Sequence, residues 1–191
     1  MTTVNFSATD DNIQEYPLLI NLPIQGPTTN LTSLTDYQLI EDWLFRNFNS
    51  YERMGVLLDL YHYLEREIFF KLLGFIWSTS DNISAYKDDL EYIFVEDGNY
   101  YYELMMTDDE KRALSRLPEV ITLYRGCYPH NMNRLSWTTD LDMTIKFTTL
   151  NRYTHEDLRP LVMTSSIKRK DAILFLERGE NEIIAPEFLR Q

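Results

Sequence analysis

The arrangement of apolar residues changes near Pro118, and this change constrains the fold more than any other feature of the sequence. Before it, apolar residues recur at helical spacing, as in the stripe from Met54 to Ile76. After it, they come in short β-branched or aromatic runs such as 120–124, which are typical of strands. Helices therefore come first and strands follow, without strand–helix–strand alternation. This order predicts an α+β fold with a mostly antiparallel sheet.

Local signals give the expected positions of the elements. Capping boxes that begin at Thr35 and Thr107 predict two helix starts, because a hydroxyl and a carboxylate or carboxamide there satisfy free amides. Further helices are predicted at about 51–77, 84–94 and 140–150. Strands are predicted at 120–125, 136–138, 160–167, 172–176 and 183–185.

The same signals divide the chain into three parts that we expect to form one compact domain. Residues 1–35 are polar and interrupted by prolines, which predicts an extended segment. Residues 36–105 form a helical subdomain, and residues 106–191 form the core that carries the predicted sheet.

Composition restricts the class of protein. The chain has 191 residues, 44% of them hydrophobic, which is enough for a packed core. Its net charge of −12 argues against general binding to nucleic acid, since phosphate contact needs a basic face. It does not exclude a local basic pocket, and an acidic surface would favour a basic protein partner by electrostatic steering. The densest basic run, 168–170, is a candidate for helping to hold phosphates.

The remaining general signals indicate a cytoplasmic protein without a metal site. Cys127 is the single cysteine, so no disulfide can form within the chain. The first residues lack the pattern of a signal peptide, and charges interrupt the apolar segment 56–77, so no membrane span is expected. The three histidines are widely separated and give no metal-ligand spacing.

Three short motifs place polar groups at the edges of predicted strands. They are Leu-Tyr-Arg-Gly at 123–126, Leu-Ser-Trp-Thr-Thr at 135–139, and Glu-Arg-Gly-Glu-Asn-Glu-Ile-Ile at 177–184. If the last motif is extended, Glu180 and Glu182 face the same way, because side chains alternate along a strand. Two like charges on one face are unfavourable unless a cation or a developing positive charge lies between them.

These motifs, in this order, resemble the ADP-ribosyltransferases of the arginine–serine–glutamate class, especially small phage-encoded and bacterial members. The pattern of that class is an arginine on a first strand, a Ser-Thr-Ser-like strand, and Glu-x-Glu on a later strand. Here Arg125, Ser136-Trp137-Thr138 and Glu180-Asn181-Glu182 match it. The resemblance covers about residues 107–186, with Trp137 where the class usually has threonine. It implies a two-sheet catalytic core and NAD as co-substrate.

The resemblance assigns catalysis to Glu182, Glu180 and Ser136. Breaking the nicotinamide–ribose bond develops positive charge on the ribose, which a fixed carboxylate stabilises. By resemblance, Glu182 holds the ribose 2′-hydroxyl and faces that charge. Glu180 faces the acceptor, and a glutamate at this position goes with arginine acceptors. Ser136 bonds the ribose and orients Glu182.

The resemblance also assigns NAD binding. Arg125 grips the dinucleotide phosphates, which suits its planar fork of donors. The backbone of Gly126 holds the nicotinamide amide, and Thr138 braces the same wall or starts the next helix. Phe147 is the first choice for the aromatic that stacks on nicotinamide, and Trp137 is the second.

The expected function is therefore mono-ADP-ribosyl transfer from NAD, with arginine on a protein as the acceptor and nicotinamide as the product. Three alternatives remain open at the level of sequence. They are hydrolysis of NAD, transfer to nucleic acid, and a non-catalytic interaction protein on the same scaffold.

Overall fold

The structure is a computed structural model that describes residues 35–97, 99–132, 134–149, 159–176 and 181–186. The described residues up to Asn82 form one compact unit, and those from Ile83 onward form a second. The first is helical, and the second combines helices with a five-stranded antiparallel sheet, which confirms the α+β class. Among the described helices, none is long and apolar enough to cross a membrane.

The first unit contains three helices, α1 (Tyr37–Asn47), α2 (Arg53–Asp59) and α3 (Arg66–Thr79). The start of α1 lies where the sequence predicted it, but its cap is Asp36 rather than Thr35. The Asp36 carboxylate accepts hydrogen bonds from the backbone N–H groups of Gln38 and Leu39, at 3.0 and 3.2 Å. The apolar faces of the helices meet in a core of fully buried side chains that includes Ile40, Leu44, Met54, Leu57, Phe69, Leu72 and Ile76.

The single helix predicted at 51–77 is wrong, because the chain leaves the helical path between α2 and α3. Tyr61, in this break, is buried, and its ring packs edge-on against Phe69 with centroids 5.0 Å apart. The guanidinium of Arg66 lies 3.8 Å from the centre of the Tyr61 ring and donates to the Tyr61 carbonyl. Leu60, Tyr61 and Leu64 in the break are buried, so the apolar stripe continues through it and does not reveal the break.

The second unit contains α4 (Lys87–Asp97), α5 (Asp108–Ser115) and α6 (Leu141–Thr149). The capping box predicted at Thr107 is confirmed at the start of α5. The sequence placed 83–105 with the helical subdomain, whereas these residues belong to the unit that holds the sheet. One link is the side chain of Asn99, which donates to Asp171 at 2.9 Å.

The sheet consists of β1 (Val120–Cys127), β2 (Ser136–Thr138), β3 (Leu161–Lys168), β4 (Ile173–Phe175) and β5 (Glu182–Ile184). Its strand order is β3-β1-β2-β5-β4, and all neighbours are antiparallel. The predicted strands are confirmed within one or two residues at each end.

The two faces of the sheet differ in character. One face is mostly apolar and buried, as at Leu123, Trp137 and Ile183, and it also carries the half-buried Arg125. The other face is buried only near β4 and β5 and is exposed on β1 and β3, for example at Thr122 and Thr164. The border between the covered half and the open half of this face therefore runs along β2 and β5, in the middle of the sheet.

Candidate active site

A single row of residues crosses this border and joins all five strands. The register pairs Thr164 with Tyr124, Tyr124 with Thr138, Thr138 with Glu182, and Glu182 with Phe175. Residues directly opposite one another on antiparallel strands point to the same face, with Cβ atoms roughly 5 Å apart. The row thus places an aromatic ring, a hydroxyl and a carboxylate side by side, although they come from three distant parts of the chain.

Glu182 is held firmly at the covered end of this row. It is half-buried, and it is followed by the fully buried Ile183 and Ile184. Phe175, which is 3% exposed, lies opposite it on β4. A carboxylate on a strand with such neighbours is fixed in position, which suits a group that must face a developing positive charge.

The chain turns sharply just before Glu182. Asn181 has a φ of +44°, in the left-handed region, and β5 begins only at the next residue. The prediction that Glu180 and Glu182 share one strand face required an extended chain through Asn181, so that argument is wrong. Glu180 itself lies outside the described residues, as does the segment 177–180 that precedes the turn.

The hydroxyl residues of β2 have different surroundings. Thr138 is 7% exposed, and its Oγ1 accepts the backbone N–H of Asp140 at 3.1 Å. The carboxylate of Asp140 in turn accepts the N–H of Met143 at 2.9 Å, at the start of α6. Thr138 therefore helps to begin this helix, one of its two predicted roles. Ser136 lies on the same face as Thr138, is half-buried, and pairs with Ile184.

Arg125 lies beside β2 but starts from the other face, because it follows Tyr124 in β1. Its guanidinium donates to the backbone carbonyl of Ser136, and to that of Asn131 at 3.3 Å. Since carbonyl groups of a strand lie in the plane of the sheet, the guanidinium sits where β1 and β2 separate. Nε is buried and has no hydrogen-bond partner among the described residues.

The charge of Arg125 is poorly compensated. Burial lowers the pKa of its guanidinium to about 10; attraction to Cys127 opposes this shift, repulsion from Arg134 adds to it, and attraction to Glu182 opposes it. No described carboxylate lies within ion-pair distance of this guanidinium. A half-buried cation without a paired anion, near a second arginine, is favourable for binding an external anion such as phosphate.

Two neighbours of Arg125 belong to β1 and not to a loop. Gly126 is half-buried and pairs with Val162, so β1 continues past the strand end predicted at 125 and finishes at Cys127. Cys127 is buried at the end of the strand. Burial raises the pKa of its thiol, against the attraction of Arg125, so the structure gives no sign of a reactive cysteine.

The aromatic residues of the site differ from expectation. Trp137 is 7% exposed and lies on the opposite face from Ser136, Thr138 and Glu182. The prediction that it stacks on nicotinamide beside Glu182 is therefore wrong. Phe147 belongs to α6, but its side chain lies outside the described part of the structure. Tyr124 was not predicted and stands next to Thr138 in the row. Only the strand register identifies it.

The basic run 168–170 is remote from Arg125. Lys168 pairs with Val120, at the opposite end of β1 and about 17 Å away along an extended strand. The Arg169 guanidinium donates to the carbonyls of Ser115 and Leu117, at 3.1 and 2.6 Å, and closes the end of α5. The run therefore lies too far from Arg125 to bind the same phosphate group.

Comparison of the chain with protein-family models, with curated proteins and with solved structures found no match. In the described part of the chain, no group of three or more His, Cys, Asp or Glu side chains is placed to hold a metal ion.

Proposed function

We propose that this chain is a mono-ADP-ribosyltransferase that cleaves NAD and transfers ADP-ribose to an arginine side chain of a protein. One observation carries the proposal. The strand order makes β1, β2 and β5 neighbours, so that the three motifs of the resemblance meet at one place. Tyr124, Thr138 and Glu182 stand in one row there, and the Arg125 guanidinium is bonded to the carbonyl of Ser136.

The half-buried carboxylate of Glu182, on a strand of buried residues, supports this chemistry. When the bond between ribose C1′ and the nicotinamide nitrogen breaks, nicotinamide leaves with the electron pair and the ribose becomes an oxocarbenium-like cation. A preorganised carboxylate stabilises that charge. The acceptor nitrogen then bonds to C1′ and loses a proton. In this proposal Glu182 also accepts a hydrogen bond from the ribose 2′-hydroxyl, and Ser136 orients it.

Arg125 supplies the complementary charge for the diphosphate of NAD. A guanidinium has five N–H donors, and two of its nitrogens already bond to the carbonyls of Ser136 and Asn131. Its remaining donors suit phosphate oxygens. The backbone of Gly126 is proposed to hold the nicotinamide amide, with Phe147 as the stacking aromatic and Tyr124 as a further wall of the site.

The acceptor follows from charge and from the resemblance. A net charge of −12 disfavours a nucleic-acid acceptor and favours a basic protein. Glu180 is proposed to pair with the incoming guanidinium and to take its proton, as a carboxylate can do bidentately. The proposal includes a second sheet, as in the two-sheet core of this class. It also includes a location in the cytoplasm.

The first test measures nicotinamide release and ADP-ribose transfer to agmatine by the full chain with NAD. Glu182→Gln keeps the size of the side chain but removes its charge, and should lower both rates on the order of 100- to 1000-fold. The matched control is Glu119→Gln, an exposed carboxylate in the same unit, which should leave both rates unchanged.

Near-normal turnover by Glu182→Gln would show that the centre is assigned wrongly. Nicotinamide release without any transfer to agmatine would instead support NAD cleavage and contradict arginine as the acceptor.

A further inference from the structure

The outer edge of β4 is completed by side chains instead of another strand. β4 pairs on its inner side with β5. Successive N–H groups of a strand point to alternate edges, so those of Leu174 and Leu176 share the outer one. The Leu174 N–H donates to the sulfur of Met106 at 3.3 Å, and the Leu176 N–H donates to Oε1 of Glu110 at 3.0 Å.

Glu110 uses both carboxylate oxygens in buried surroundings. It is 4% exposed and stands in the capping box of α5. Its Oε2 accepts the backbone N–H and the hydroxyl of Thr107, at 2.7 and 2.8 Å. A capping box requires only this oxygen. The other oxygen holds Leu176, so one carboxylate ties the start of α5 to the end of β4.

The hydrogen bond between Leu176 and Glu110 lies one residue from Phe175, and Phe175 is opposite Glu182, the proposed catalytic carboxylate. Leu176 follows Phe175, which pairs with Glu182, and it is the last described residue before the segment that leads to Asn181. Glu110 therefore fixes the backbone at the end of β4, the strand that pairs with Glu182, just before the segment that leads to its motif. Displacement of a reacting group by about 1 Å can cost on the order of 100-fold in rate.

We propose that Glu110 is a positioning residue, which sets the location of Glu182 by holding the N–H of Leu176. This inference rests on the proposed function for its catalytic consequence, and on the hydrogen bonds above for its structural part. Glu110 touches neither NAD nor the acceptor in this proposal.

Two variants of the full chain separate positioning from plain stability. Glu110→Asp keeps the charge at the helix start, but it is shorter by one methylene and cannot reach both Thr107 and Leu176. Thr107→Ala removes the cap hydroxyl and leaves the bond to Leu176 intact. Loss of a cap should lower Tm by about 3 °C, so Thr107→Ala is the matched control for destabilisation alone.

The readouts are hydrogen exchange of single amides, measured by NMR, and steady-state kinetics with NAD. In Glu110→Asp the Leu176 and Glu182 amides should exchange about tenfold faster. The same variant should lose kcat by roughly 10- to 100-fold with little change in KM for NAD. In Thr107→Ala both amides and kcat should stay as in the wild type.

Unchanged exchange in Glu110→Asp, or equal loss of kcat in both variants, overturns the inference. If the wild-type chain releases no nicotinamide, the proposed function fails, and the exchange experiment still decides between the two outcomes. Faster exchange at Leu176 and Glu182 then upholds the role of Glu110 in placing Glu182, and unchanged exchange rejects it.

Discussion

Arg125 carries a positive charge where burial disfavours it. Desolvation is the largest cause of the fall in its pKa to about 10, and the guanidinium remains charged at neutral pH. Its contacts with Ser136 and Asn131 are to neutral carbonyls. An anion that binds there would gain more from this cation than it would from an exposed one, because less water competes for it.

The variant Arg125→Lys tests whether this charge binds NAD. Lysine keeps the charge but loses the planar fork, so NAD affinity measured by calorimetry should fall roughly 10- to 100-fold at pH 7. Burial lowers the pKa of a lysine from about 10.4, and a lysine that deprotonates as pH rises no longer attracts phosphate. The loss in the variant should therefore grow between pH 7 and 9, whereas wild-type affinity stays flat.

The exposed Arg116 supplies the control, because Arg116→Lys should bind NAD as the wild type does. Arg125→Ala removes the charge as well as the fork. Equal affinity in Arg125→Ala and the wild type would leave Arg125 with a structural role only, that of joining β1 to β2 and to the segment before it.

Among elements, β5 has only three residues, and its start depends on Asn181. The left-handed conformation at φ +44° suits asparagine and glycine and is unfavourable for branched side chains. Asn181→Val should cost about 1–2 kcal/mol of unfolding free energy in urea titration and should reduce NAD turnover. Asn181→Gly should keep both close to the wild-type values.

Similar losses in the Gly and Val variants would mean that the asparagine side chain, and not its backbone conformation, is what matters at this position.

The elements show how far sequence reasoning reaches. The starts of α1 and α5 and all five strands were predictable, because caps and β-branched runs act locally. The break between α2 and α3 was not, since buried apolar residues such as Tyr61 continue the helical pattern through it. The turn at Asn181 was also missed, because a period-2 pattern says nothing about the residue where a strand begins.

At the scale of the whole molecule, the strand order was the unpredictable part. The sequence gives three motifs at strand ends, but it does not say that β3 joins the far side of β1 and leaves β2 beside β5. That choice depends on packing between distant parts of the chain. Residues whose roles follow from pairing, such as Tyr124 beside Thr138, and Glu110 at the edge of β4, therefore needed the structure.

The net charge of −12 belongs to the whole chain and predicts how the reaction responds to salt. If the acceptor is a basic protein, long-range attraction raises the rate of encounter, and salt screens it. The screening length falls from about 30 Å at 0.01 M to about 8 Å at 0.15 M ionic strength. Transfer to an arginine-rich basic protein should thus fall about tenfold or more in kcat/KM over this range.

Nicotinamide release without acceptor is the internal control and should change far less. Transfer to a basic protein that is insensitive to salt, or transfer to RNA that exceeds it, would contradict the steering argument and return nucleic acid to the candidate acceptors.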